Sequence, residues 1–462
     1  MCFFVKRKKE TESGRRKKRA LAVAASILVC VFSLTGCGAF DFLGTESRAD
    51  VEEDAGEITE KETEQEVETA SSKEVTPEVS EADSQEYLQV EENQVEEKES
   101  NVSKSDLEQK RVEIGLSEAG ITGLQETQAG NYYFGLLSGP EKRLYVEIYR
   151  ILEIQEEEIL LSTTDISVLS RVYQAVINDH PELFYLTGYT YTRFVRQDEI
   201  QYITFSGRYL YDTEEVARRQ AEIDAVVGEK AGRLLGSDDY ETVKAVYEDL
   251  ILSTDYSLDS PDNQNICSVF LDKKSVCNGY AKAAQYLLNY FGIPCIIVNG
   301  SALGNAHAWN IVEIGGAYYH MDVTWGDPSY YSQDEVEKSG APDIDYSYLC
   351  VTTAEISKNH SIDTMFACPE CTAMYDNYFV REGLYLYGYD EGLMQGIFGA
   401  AKDRNENVVC IKASDRQVYQ ELYDNLIGQQ KIFDYFGTYQ SSGEYKIAYS
   451  GNEDLCTISF WE

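Results

Sequence analysis

Apolar positions recur at helical spacing through residues 140–178. Leu144, Ile148, Ile151 and Leu152 share one face, and Ile166, Leu169, Val172, Val176 and Ile177 share another. Pro181 disfavours helical backbone at His180, so the run ends there. Two stretches rich in Tyr, Thr and Phe, Tyr189–Val195 and Ile200–Leu210, read as strands. Helical patterns resume over Glu214–Leu235 and Tyr240–Ser253. Ser275 is the expected N-cap of a further helix, which buries Tyr280, Ala284, Leu287, Leu288 and Phe291 and stops at Gly292 and Pro294. A buried strand, Cys295–Asn299, follows, and then strands His307–Ile314 and Tyr318–Trp325 flank a Gly315-Gly316 hairpin turn. A helix followed by antiparallel strands predicts an α+β core. Beyond Asn377 the pattern predicts a small α/β unit. Its elements are strand Tyr378–Leu386, helix Glu391–Ala401, strand Val408–Ile411, helix Arg416–Gly428, and closing strands Tyr445–Ser450 and Leu455–Trp461.

The first hundred residues follow a different logic. Nine Lys or Arg fall in residues 6–19, then an apolar run extends from Ala20 to Leu34 and leads into Thr35-Gly36-Cys37. This reads as a secretory signal over residues 1–36, too short to span a bilayer as a helix. Its ending, Leu34-Thr35-Gly36-Cys37, resembles a bacterial lipobox. The resemblance implies that Cys37 becomes the lipidated first residue and anchors an extracytoplasmic protein to the membrane. The plain alternative is an ordinary signal anchor with an incidental cysteine. Residues 37–110 read as an acidic disordered tether: from Thr45 to Lys110 there are 23 acidic and 6 basic side chains, with Tyr87 the only aromatic. So little apolar surface cannot offset the entropy of ordering.

The whole chain has 462 residues and a net charge of −40, and without residues 1–36 it carries 31 basic and 78 acidic residues. That surface excludes a nucleic-acid binder. It carries no signal for an oligomeric state.

Chemistry concentrates between Ser275 and Pro328. Cys277 falls in the first turn of its helix, where backbone N–H groups and the helix dipole stabilise a thiolate. A nucleophile needs a base, and the base an orienting group. The chain has only four histidines: His180, His307, His320 and His360. With Gly315-Gly316 central in the turn, residue 309 opposes 322. His307 then shares a face with Asp322 as its diagonal neighbour. His320 shares that face too and is a competing base, while His180 and His360 beside helix ends read as structural or exposed. Taken singly, a cysteine at a helix start is more often buried packing, and a His–Asp pair on strands is often structural.

Three blocks together resemble the bacterial transglutaminase-like superfamily, which has a papain-like Cys-His-Asp fold: Ser275-Val276-Cys277-Asn278-Gly279-Tyr280-Ala281, Asn305-Ala306-His307-Ala308-Trp309-Asn310, and His320-Met321-Asp322-Val323-Thr324-Trp325-Gly326-Asp327-Pro328. The resemblance is firm over Tyr240–Tyr330 and looser in Asn178–Thr192 and Tyr346–His360. It implies a nucleophile helix packed on an antiparallel sheet, with Cys277 the nucleophile, His307 the general base and Asp322 its orienter. The implied reaction is acyl transfer through a thioester on a peptide or protein amide. An amine acceptor gives a cross-link, and water gives deamidation or proteolysis, as in a cysteine peptidase acting on cell-wall or surface peptides. A noncatalytic surface-binding module that keeps the fold is the remaining class. The chain then divides into residues 111–239, an N-terminal α+β region; 240–345, the catalytic core; and 346–462, a C-terminal extension with an accessory α/β unit that contacts substrate or wall.

Trp309 either walls the acyl site or packs in the sheet, and Asp327 reads as a turn residue. No cofactor is implied. Eight cysteines lie beyond Cys37, and Cys368-Pro369-Glu370-Cys371 lacks the further ligands a zinc site needs, so no metal is expected and either a local bridge or free thiols are.

Overall fold

The computed structural model describes residues 3–8, 67–68, 95–99, 103–197, 199–260, 262–328, 342–435 and 444–461. The apolar leader run, Cys37 and most of the expected tether lie outside these residues.

The centre of the molecule is an antiparallel five-stranded sheet in the order Leu349–Val351, Ala317–Met321, Asn305–Ile314, Cys295–Ala302, His360–Ile362. The helix Cys277–Tyr290 packs against its two middle long strands and buries Tyr280, Ala284, Leu287 and Leu288, with Phe291 half-buried just past its end. Asn310 ties the layers together: its amide N–H donates to the Ala281 carbonyl of that helix at 2.9 Å. Helix Asp239–Ser253 packs on the Cys277–Tyr290 helix from behind through buried Val243, Val246, Tyr247 and Leu250. Mixed helix and sheet with this layering make the fold α+β.

Ahead of this core, helices Gly139–Ile154 and Ile166–Asp179 are separate elements, with the short strand Ile159–Leu160 between them. The single periodic run over 140–178 is interrupted because Gln155 adopts a left-handed backbone (φ 57°) and Asp165 caps a new start through the Ser167 and Val168 N–H groups. Strands Leu186–Arg196 and Glu199–Tyr209 form the hairpin of a four-stranded sheet, with Val95–Glu99 and Ile159–Leu160 on its edges. Helix Thr213–Leu234 follows. The C-terminal unit has its own apolar core around Phe398, Leu422, Ile458 and Phe460. Its sheet runs Tyr385–Leu386, Val408–Ala413, Thr457–Trp461, Glu444–Asn452, with Phe3–Lys8 and Val67–Glu68 beyond. Leu455 joins this unit to the core by packing with Ala302, Trp325, Tyr348, Val351 and Ile356.

Several elements differ from the sequence reading. Ser275 does not cap the Cys277 helix: its hydroxyl hydrogen-bonds Ser268 Oγ at 2.7 Å and the Asn263 carbonyl at 3.1 Å, and Val276 takes the cap position. The strand expected over Tyr318–Trp325 ends at Met321, because the Asp322 carboxylate and carbonyl take the Trp325 and Gly326 N–H groups and close a turn. Tyr378–Leu386 is not one strand. The Asn377 side chain caps a helical turn, Tyr378–Arg381, and only Tyr385–Leu386 is extended. Helix Lys104–Glu113 begins inside the expected tether, with Leu107 and Arg111 buried and Arg111 paired to Glu147 at 2.5 Å.

Candidate active site

Cys277 is the first residue of its helix and is buried, with extended Val276 before it. The chain can fold this tightly because residue 279 is glycine. A Cβ there would lie 2.0 Å from Ser275 Oγ and 2.8 Å from the Asn263 carbonyl oxygen. Placement at a helix start points the unsatisfied N–H groups of the first turn toward the thiol's surroundings.

His307 and Asp322 come from adjacent strands. The hairpin pairs Ile314 with Ala317 and Asn310 with Met321, the register that two central glycines impose. Asp322 therefore lies one residue past the strand end, level with the His307 end of its neighbour. His307 Nε2 donates to Asp322 Oδ2 at 2.7 Å, which leaves Nδ1 outside that bond, and Cys277 is near enough to add to the support of the charged ring. All three side chains are buried.

Electrostatics sharpen the picture. Burial alone would depress the His307 imidazolium, but the Asp322 carboxylate, then Cys277, overcome this and hold it up to about 10. For Asp322, burial favours the neutral acid. The charge on His307 and hydrogen bonds from His307 and His360 outweigh that and keep the carboxyl well below the usual carboxylate range.

His320 is not placed to act as base. The Trp309 indole N–H donates to its Nδ1 at 3.0 Å, and its Nε2 meets Thr353 Oγ1 at 3.2 Å. Burial, with the neighbouring His360, pushes it down to about 4. His360, expected to be structural or exposed, is buried on the edge strand of the sheet, with Nε2 3.0 Å from Asp322 Oδ2. Its scarcity as one of four histidines was the available signal; its position beside a short helix concealed it. His180 sits elsewhere, between Glu182 (2.6 Å) and Gln128 (2.9 Å) and stacked on Tyr149.

Trp309 is buried. It stacks nearly parallel to the His307 ring (18°, centroids 5.9 Å apart), so it both packs in the sheet and backs the imidazole. Asp327 is buried and accepts the Tyr280 hydroxyl at 3.0 Å. His307, Asp322 and His360 lie within 4.8 Å of one another, close enough to hold a cation. Their 2.7 and 3.0 Å separations are hydrogen-bond lengths. Cys368 and Cys371 are free thiols, as are the other six cysteines among the described residues.

Residues 230–323 match the model of the transglutaminase-like superfamily. No curated protein matches the chain. Among solved structures, a crystal structure of a TGase is 15% identical over 33% of this chain and 55% of its own, with a TM-score of 0.23. A candidate cysteine protease from Cytophaga hutchinsonii is 14% identical over 29% of this chain and 61% of its own, with a TM-score of 0.20. A candidate protease from Parabacteroides distasonis is 11% identical over 29% and 31%, with a TM-score of 0.17. The chain spans about half the length of the first of these. The matched region is transglutaminase-like, as the three sequence blocks implied, and contains Cys277, His307 and Asp322.

Proposed function

From a transglutaminase-like core, we propose that this chain is a cysteine acyl-transfer enzyme acting on peptide or protein amides, with Cys277 as nucleophile, His307 as general acid–base and Asp322 as the group that orients His307. The observation that carries the reading is a buried imidazole that bonds the Asp322 carboxylate at 2.7 Å and whose charge Cys277 also supports.

The chemistry follows from the geometry. The Cys277 thiolate attacks the carboxamide carbon and forms the C–S bond. The N–H groups of the first helical turn stabilise the oxyanion. Collapse breaks the C–N bond, and the departing ammonia or amine takes the proton held on His307. The thioester then accepts a primary amine, or water, whose proton returns to His307 as the C–S bond breaks. Asp322 keeps the ring aligned and balances its charge throughout. Trp309, stacked on His307, backs the imidazole through these steps. On a backbone amide the same sequence of steps is proteolysis.

The proposed setting is outside the cytoplasm, with the catalytic region held to the membrane through lipid on Cys37 and the acidic segment as spacer. The basic run, apolar stretch and Leu34-Thr35-Gly36-Cys37 support it.

The test supplies a dansyl-amine with a casein-type glutamine donor and follows label incorporation, ammonia release and new N-termini, with Cys277→Ala alongside. Incorporation means transferase, ammonia without incorporation means deamidase, and new N-termini mean peptidase. Activity that survives in Cys277→Ala overturns the reading. Loss of every signal only in the variant supports it against a noncatalytic module.

A further inference from the structure

Asp322 serves two imidazoles with one oxygen. His307 Nε2 lies 2.7 Å and His360 Nε2 3.0 Å from the same Oδ2, while Oδ1 accepts the Trp325 backbone N–H at 3.0 Å. A buried carboxylate needs partners for its lone pairs, and this one has three donors from three different parts of the chain. A carboxylate held by His307 alone would be free to turn about its Cβ–Cγ bond and aim its oxygens away from the ring. Held at Oδ1 by Trp325 and at Oδ2 by His360, it presents Oδ2 at a fixed place.

His360 is itself fixed. Its ring meets Trp325 (centroids 4.8 Å apart), Trp309 (5.1 Å, edge-on) and Tyr348 (6.1 Å). Its Nδ1 lies 2.6 Å from the side-chain amide of Asn359, which in turn bonds the Tyr348 hydroxyl. Its strand pairs with Cys295–Ala302, the same strand that pairs with His307 from the other side. The central strand and one edge strand of the sheet thus converge on one carboxylate.

We infer that His360 is a positioning residue for the reaction proposed above: by donating from Nε2 to Asp322 Oδ2 it locks the carboxylate that orients the His307 ring toward Cys277. The inference rests on the nucleophile reading for its consequence, but the geometry it invokes does not involve the sulfur. It assigns the edge strand His360–Ile362 a share in the site, and it explains why a third histidine is sealed beside the pair.

The test compares the full chain with His360→Phe, which keeps a ring and loses the donor, and His360→Gln, whose amide nitrogen donates from a similar position. Three readouts are taken: the pH profile of iodoacetamide alkylation at Cys277, the titration of the His307 imidazole by 15N NMR with labelled histidine, and the melting temperature. Expected for His360→Phe is a drop of about tenfold or more in alkylation rate near neutral pH, with the His307 titration midpoint moved down, since a misaligned carboxylate supports the imidazolium less. Expected for His360→Gln is a rate within about threefold of wild type and a His307 midpoint close to it. Wild-type titration of His307 in His360→Phe overturns the inference. So does equal impairment of both variants in step with lost melting temperature, because that is packing alone. An unreactive Cys277 in the unmutated chain overturns the nucleophile reading instead, and the NMR comparison still decides the role of His360.

Discussion

Trp309 donates its indole N–H to Nδ1 of His320 at 3.0 Å, and that bond separates the two histidines of the hairpin. A ring nitrogen that accepts this donor carries no proton, so the proton of neutral His320 sits on Nε2 and faces Thr353 Oγ1. Both nitrogens of His320 are therefore committed to holding the sheet. His307 spends one nitrogen on Asp322, and its charged form is supported by Cys277 as well.

The two histidines should consequently differ in what the same substitution costs catalysis. His307→Gln is expected to lower kcat by about 10²–10⁴-fold, since general acid–base help of that size is lost, and to cost stability too, since buried Asp322 loses its charged partner. His320→Gln should leave kcat within about tenfold while lowering stability by about 1–3 kcal/mol, the cost of disturbing a buried bond. Steady-state kinetics and urea titration on both variants check this, and a reversed pattern would make His320 the base.

Proton transfer to the leaving amine requires protonated His307. With its imidazolium held up to about 10, acylation should persist through neutral pH and fall as pH rises through about 10. Asp322→Asn removes the largest of the charges that oppose burial, so the imidazolium should fall from about 10 and the alkaline limb should move to lower pH. A pH–rate profile of kcat for the two proteins reads this directly. An unchanged alkaline limb would mean that Asp322 does not set the His307 charge.

Stability carries its own pH signature. His320 has a folded value of about 4 against 6.5, so the unfolded chain binds more protons between those values. Its contribution is therefore present above 6.5 and is lost as pH falls toward 4, with a slope of up to about 1.4 kcal/mol per pH unit per proton. His307 works the other way: its folded value is raised, so its contribution is complete below 6.5 and is lost as pH rises through about 10. Asp322, lowered from 3.8, keeps its contribution until still more acid pH. Urea unfolding from pH 4 to 10 should show a maximum near neutrality, and His320→Phe should flatten the acid side. An acid side unchanged in that variant would contradict the assignment.

Gly300 stands opposite His307 in the strand pairing. A Cβ there would lie 2.0 Å from the Ser361 carbonyl oxygen and 2.9 Å from the Trp309 ring. Gly300→Ala must therefore push the His360 strand or the Trp309 indole aside. A stability loss of about 1–3 kcal/mol is expected, together with slower alkylation of Cys277. Wild-type values for both in chemical denaturation and labelling would show that the strand edge yields freely.

The Cys277–Tyr290 helix and the hairpin were legible because their signals are local. Helical spacing from Tyr280 to Leu288 defines the buried face, and two adjacent glycines set a register that carries His307 to Asp322 without any long-range information. His360 was not legible, for it arrives from 38 residues beyond Asp322 on the opposite sheet edge, and no periodicity encodes that pairing. Ser275 misled because a capping residue type in the right place had a competing offer from Ser268 and Asn263. The Tyr378–Leu386 strand failed for a similar reason, since β-favouring side chains there follow Asn377, whose cap starts a helical turn.

The central claim is a covalent acyl group on one sulfur, and intact-mass analysis of an acid-quenched reaction with a glutamine peptide measures it most directly. The account predicts an adduct that loses ammonia from the peptide mass, maps to Cys277, is released by hydroxylamine and is absent in Cys277→Ala. An adduct on another residue, or turnover by Cys277→Ala at the wild-type rate with no adduct, would contradict it.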